Sequence, residues 1–170
     1  MEAYEVYQTA YRIIDTNTPL GKADCGQLCG GACCKGDCYT GMLLFPMEES
    51  LYVHNTKMKV VPSPFTYGEA QKAKLLLCGG KCRRTDRPLS CRIFPLISCR
   101  DTKRPRITPI LDPRARTLCP LSKANDISLL DAEFIIAVKR LFVYLSYFPQ
   151  IRLFLEALSK DAQEWLRFTK

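Results

Sequence analysis

The sequence predicts an α+β domain: an irregular cysteine-rich body with short strands, packed by N-terminal and C-terminal helices. Three observations carry this. Apolar residues recur at helical spacing over residues 2–15 and again from 128 to the end of the chain. Short apolar runs at 40–45, 73–77 and 106–111 lie between them, bounded by glycine and proline. All ten cysteines fall in that middle stretch. At 170 residues the chain is long enough for one domain with its own core. The cysteine-rich body is expected over about 20–122 and the helical part over about 126–169.

Taken in order, Tyr4, Tyr7, Tyr11 and Ile14 form the apolar stripe of a first helix. Thr16-Asn17-Thr18-Pro19 stops it. A strand is expected at 40–45. Pro46 suits the first position of a short helix over 46–54, whose dipole favours Glu48 and Glu49 in the first turn. His54, the single histidine, reads as a surface or capping residue. Residues 56–68 are expected to be a short strand followed by a loop, because Pro62 and Pro64 interrupt them. The segment between Cys91 and Cys99 reads as an apolar loop around Pro95, and 106–111 as a strand. Ser128 with Asp131 three residues on resembles a capping box, so a mostly buried helix is expected from there to just before Pro149. One further helix, or two short ones, follows.

The densest chemistry lies at residues 25–38, CGQLCGGACCKGDC, with five cysteines in fourteen residues. Thiols this close oxidise, hold a metal or do redox chemistry. The first residues carry acid early and no continuous apolar run, so a secretory leader is not expected. The apolar stretch 134–148 is interrupted by Lys139 and Arg140 and is not expected to span a bilayer. The expected compartment is therefore a reducing cytoplasm, where ten cysteines argue for metal over disulfides. Cys25, Cys29, Cys33, Cys34 and Cys38, with Cys78, Cys82, Cys91, Cys99 and Cys119, are the candidate ligands. The glycines of the first block favour a loop that bends close to an ion over a regular helix. Adjacent Cys33 and Cys34 can hardly both ligate one ion in relaxed geometry, so more than one centre is expected. Cys78-Gly79-Gly80-Lys81-Cys82 forms a knuckle whose two sulfurs can face one point. Zinc and iron–sulfur clusters are both held by four thiolates, and ten cysteines close two such sites with two to spare.

The net charge of +8 is unevenly placed: residues 72–123 carry 14 basic and 3 acidic side chains, while 1–71 carry 5 and 8. Arginines among thiolates offset their charge and donate hydrogen bonds to sulfur. The competing reading is a nucleic-acid surface over 81–116. Other chemistry is poorly supplied. There is no C-x2-C pair, no P-loop and no G-x-G-x-x-G. The lone histidine has no evident serine partner, and the acids are scattered, so no catalytic residue is legible.

Cys33-Cys34, the later pair Cys78 and Cys82, and Arg87-Pro88-Leu89-Ser90-Cys91-Arg92 resemble the CxxCxxCC-type cysteine-cluster proteins of bacteria and archaea, which are described as zinc- or iron-chelating. The resemblance covers roughly residues 25–100. It implies that Cys25, Cys29, Cys33 and Cys34 fill the family's first block, Cys78 and Cys82 the middle pair, and Cys91 and Cys99 the last two positions. Cys38 and Cys119 are additional, and the first block is more widely spaced than the family's. Flagellin lysine-N-methylases are similar in carrying this kind of cluster. The expectation is thus a metal-binding protein holding zinc or an iron–sulfur cluster. The alternative is a cluster-dependent enzyme, methylase-like or redox, with Arg83, Arg84 or Arg92 facing a pocket. Metal ions are the expected partners. A protein docked on the helices and nucleic acid on the basic stretch are further candidates.

Overall fold

The first helix forms, but its buried face is not quite the tyrosine stripe. In a computed structural model, which describes residues 3–34, 41–80, 82–100 and 107–168, α1 spans Ala3–Ile14 and buries Val6, Tyr7, Ala10 and Ile14. Tyr4 is exposed; it lines an open cleft with Tyr11. One helical turn, α2 (Gly26–Cys29), follows and ends at Gly30 in the left-handed region. Strand β1 (Met42–Leu44) leads to a 3-10 turn at Glu48–Tyr52, entered through Met47 at φ 72°. The helix expected from Pro46 therefore starts later and is tighter.

Strands β2 (Lys59–Tyr67) and β3 (Gln71–Leu77) complete an antiparallel sheet of order β1-β3-β2. The prolines do not end β2, contrary to the sequence expectation. They are tolerated because β2 is an edge strand and its register shifts between Pro62 and Thr66. The segment expected as an apolar loop is also ordered differently. It holds α3 (Leu89–Ile93) and strand β4 (Leu96–Arg100), which pairs antiparallel with β5 (Ile107–Leu111). Leu96, Ile97 and Ser98 are buried, and β4 packs against the last helix. That burial makes the apolar run a strand.

Helix α4 spans Ala132–Ser146. Its cap is Asp131, whose Oδ1 accepts from the Phe134 N–H at 2.9 Å. Ser128 lies earlier, in a 3-10 turn capped by Asp126, so the helix begins later than the capping-box reading placed it. Helix α5 (Pro149–Phe168) is one continuous helix with proline at its first position. It lies on β4 and β2, while α4 packs on α1 and β5. The fold is α+β. The larger of two core clusters draws on α1, β3, α3, β4, β5, α4 and α5, the smaller on Leu44, Tyr52 and Leu76, and Phe154 stands at the aromatic centre of the larger, 5.3 Å from the Phe45 ring and 5.4 Å from Tyr67. Among the described residues no helix is long and apolar enough to cross a membrane.

Candidate metal centre

The turn that carries the first cysteines is built locally. Asp24 Oδ1 accepts from the Gly26 N–H at 3.1 Å and starts α2. One helical turn then stacks Cys29 over Cys25, with the Cys29 thiol 3.8 Å from the Cys25 carbonyl. Gly30 and Gly31, at φ 59° and 68°, reverse the chain into a 3-10 turn at Ala32–Cys34. Only glycine takes two successive positive φ values without strain. The loop expected from the glycines is therefore a helical turn, a glycine reversal and a second turn.

Cys25, Cys29 and Cys33 line one small cavity, and the fourth cysteine on its wall is Cys119. Its volume is about 10 Å³, room for about one water-sized occupant. Cys119 is brought there by a 3-10 turn at Pro113–Thr117, capped by Asp112 and begun by proline. Its own N–H bonds the Ala115 carbonyl at 2.7 Å. The turn is tied to α5 through Arg114, which bonds both Asp112 and Asp161. Asp112-Pro113 is the sequence signal that could have announced this turn.

A second group forms around Cys34. Cys78 and Cys82 follow β3, and Gly79 and Gly80 between them both have positive φ. The knuckle packs on the first block so tightly that a Cβ on Gly80 would collide with the Cys34 carbonyl oxygen. Cys91, on α3, has its thiol pushed well above the usual range by burial and then by Cys82, Cys34 and Cys78. The Cys82 thiol is raised by burial and by Cys78, against Arg87. Cys33 and Cys34 join the two groups: their Sγ atoms lie 3.9 Å apart. That shared hydrogen bond, with Arg87 nearby, lowers Cys34 to about 6, whereas it and burial raise Cys33.

The arginines sit among these sulfurs. Arg87 lies 3.6 Å from Asp24. Burial opposes its charge, but Asp24, Cys34 and Cys82 outweigh that and hold it above its usual range. Arg84 is lowered by burial and by Arg92 and Arg87, against Cys25 and Asp24. The Nε atoms of Arg84 and Arg87 are buried and have no hydrogen-bond partner among the described residues. Elsewhere on the basic stretch, Arg83 pairs with Asp86, Arg100 with Glu156, and Arg114 with two aspartates. Arg92 donates to the Thr85 and Arg87 carbonyls. These cations of the described stretch are engaged within the fold, while Lys81, Lys103, Arg104 and Arg106 lie outside the described residues.

Cys99 stands apart. It lies on β4 about 10 Å along the strand from Leu96, and its sulfur accepts from Gln163 of α5 at 3.6 Å. Cys38 lies outside the described residues, and His54 is exposed. Among the described residues, no three histidine, cysteine, aspartate or glutamate side chains converge to metal-holding geometry. The donor types are those of a thiolate-held metal: four cysteines are among the residues lining one otherwise apolar cavity, and the Nε atoms of Arg84 and Arg87 lack partners among the described residues. Gly80→Ala is expected to destabilise the fold by about 3 kcal/mol, against about 1 kcal/mol for Gly79→Ala. Both residues have positive φ, but nothing lies within 4 Å of a Cβ on Gly79. Denaturant midpoints of the two variants check this ordering. A scan of protein families, a search of curated proteins and a search of solved structures each find no match to the chain.

Proposed function

We propose that the protein binds metal, as zinc or an iron–sulfur cluster, through cysteine thiolates at more than one centre, in the manner of the cysteine-cluster proteins its motifs resemble. The observation that carries this reading is the cavity walled by Cys25, Cys29, Cys33 and Cys119. These residues come from two segments far apart in sequence. They share the cavity with apolar residues such as Leu28, Phe94 and Leu121, and four cysteines is the donor number that a four-coordinate ion takes. The Nε groups of Arg84 and Arg87, which lack partners among the described residues, would face the negative charge of a loaded site. When bound, zinc would cross-link the segments, and a cluster would add one-electron chemistry.

The test is anaerobic purification with elemental analysis and a visible spectrum. The expected result is a colourless protein with about two zinc ions per chain, or a brown one with iron and acid-labile sulfide. A well-folded, metal-free protein overturns the reading.

One observation favours a second reading, a cluster-dependent enzyme. An open cleft of about 550 Å³ is lined by Tyr11, Tyr52, Asp86 and Arg92, and Tyr52 feels the Cys91 thiol. The Arg92 guanidinium lies over the Tyr11 ring, 4.3 Å from its centre. This reading expects a reversible redox transition in the visible spectrum; zinc alone removes it.

A further inference from the structure

We infer that the protein has a separate binding site for a neutral molecule built on one aromatic ring, in a cavity lined from β1, α3, β4, α4 and α5. The site goes beyond the metal-binding reading and does not rest on it.

The cavity follows from the topology. Strands β1 and β4 belong to different sheets, and β1 is the edge of its own. The seam between them is lined from α3 by Ser90 and Ile93, from α4 by Phe142 and from α5 by Leu158. Its volume is about 210 Å³. Close-packed interiors hold few voids larger than a water molecule, and an apolar cavity of about 150 Å³ is enough to take benzene. The space therefore matches one ring with a small substituent. Ile93, Leu96, Ile97, Phe142 and Leu158 of the lining are buried. Gly41, Met42, Leu43 and Phe94 are only partly so, and they mark the way in.

The lining also selects the ligand. Phe45, Phe94 and Phe142 contribute to it, and aromatic rings meet one another favourably in offset or edge-on geometry. Its polar residues are already engaged. The Ser98 hydroxyl donates to the Leu155 carbonyl at 3.2 Å, and the Ser90 hydroxyl donates to the Leu43 carbonyl. Asp112 and Arg114, the charged residues of the lining, pair with each other at 2.9 Å. A charged ligand would give up water without gaining a free counter-ion, whereas a neutral ring loses little on entry. Phe94 lines both this cavity and the one that holds the cysteines, so the two sites are neighbours.

The test titrates the folded protein with phenol and follows its leucine and isoleucine methyl groups by NMR. Phenol should saturate with a midpoint of about 1 mM or below. It should shift the methyls of Ile93, Ile97 and Leu158 and leave those of Leu76, in the smaller core cluster, in place. Cyclohexanol, of similar size but without a π-face, should bind at least about threefold more weakly. Benzoate, which carries a charge, should bind at least about tenfold more weakly. Leu43→Trp, at the entrance, should abolish the saturable shift; if that variant does not fold, the titrations of the wild type decide alone. Phenol shifts that grow linearly to about 10 mM, or that scatter over the surface, overturn the site. Cyclohexanol or benzoate binding as tightly as phenol overturns the neutral aromatic ligand. Metal analysis of the same sample is unaffected by either outcome.

Discussion

Replacing Glu48 by alanine is expected to cost about 2–4 kcal/mol of unfolding free energy, read as a shift in the urea midpoint. Glu48 is fully buried. Its Oε1 accepts from the Tyr11 hydroxyl at 2.6 Å and from the Leu89 N–H at 2.8 Å, and its Oε2 from the Phe45 N–H at 3.0 Å. One carboxyl thus joins α1, the end of β1 and the start of α3, the helix that carries Cys91. Alanine leaves three donors unanswered. Burial pushes the Glu48 carboxyl up to about 6, against the hydrogen bonds from Tyr11, Leu89 and Phe45 that favour the ionised form. The folded state therefore holds this proton more tightly than the unfolded chain. Its contribution is fully present below the unfolded value of 4.5 and is lost as pH rises through about 6. Stability is expected to fall by about 2 kcal/mol across that window. Glu48→Gln should flatten the slope, and urea midpoints at pH 4.5 and 7 measure it.

Phe154→Ala is expected to cost more, about 3–5 kcal/mol. Phe154 is fully buried, and its ring meets Phe45, Phe65 and Tyr67 edge-on or tilted. Those three come from the β1 end and from β2, so Phe154 fixes α5 to the three-stranded sheet. Alanine would open a cavity that strands on one side and a helix on the other cannot close. Phe154→Leu, which refills most of the volume, should cost less than half as much. Thermal or denaturant unfolding of the two variants distinguishes cavity formation from loss of ring contacts alone.

The helices were legible because their apolar periodicity is local. The period of α4 and α5 survives in the buried sets Phe134, Val138, Leu141, Leu145 and Ile151, Phe154, Leu155, Leu158. What was not legible depends on distant packing. Proline patterning hid the second half of β2, since its edge position makes Pro62 and Pro64 tolerable. Glu48 read as an acid in a helix's first turn, because three donors converging from different segments leave no periodic trace. Cys119 read as an addition to a family pattern, yet a capped turn carries it to the wall shared with Cys25, Cys29 and Cys33. Cys99 matched the pattern, yet it faces Gln163.

The most direct measurement of the central claim is X-ray absorption fine structure at the metal edge of the anaerobically purified protein. Thiolate ligation predicts a first shell of about four sulfurs at about 2.3 Å. A shell of nitrogen and oxygen would contradict the account, as would a folded protein with no metal edge to record.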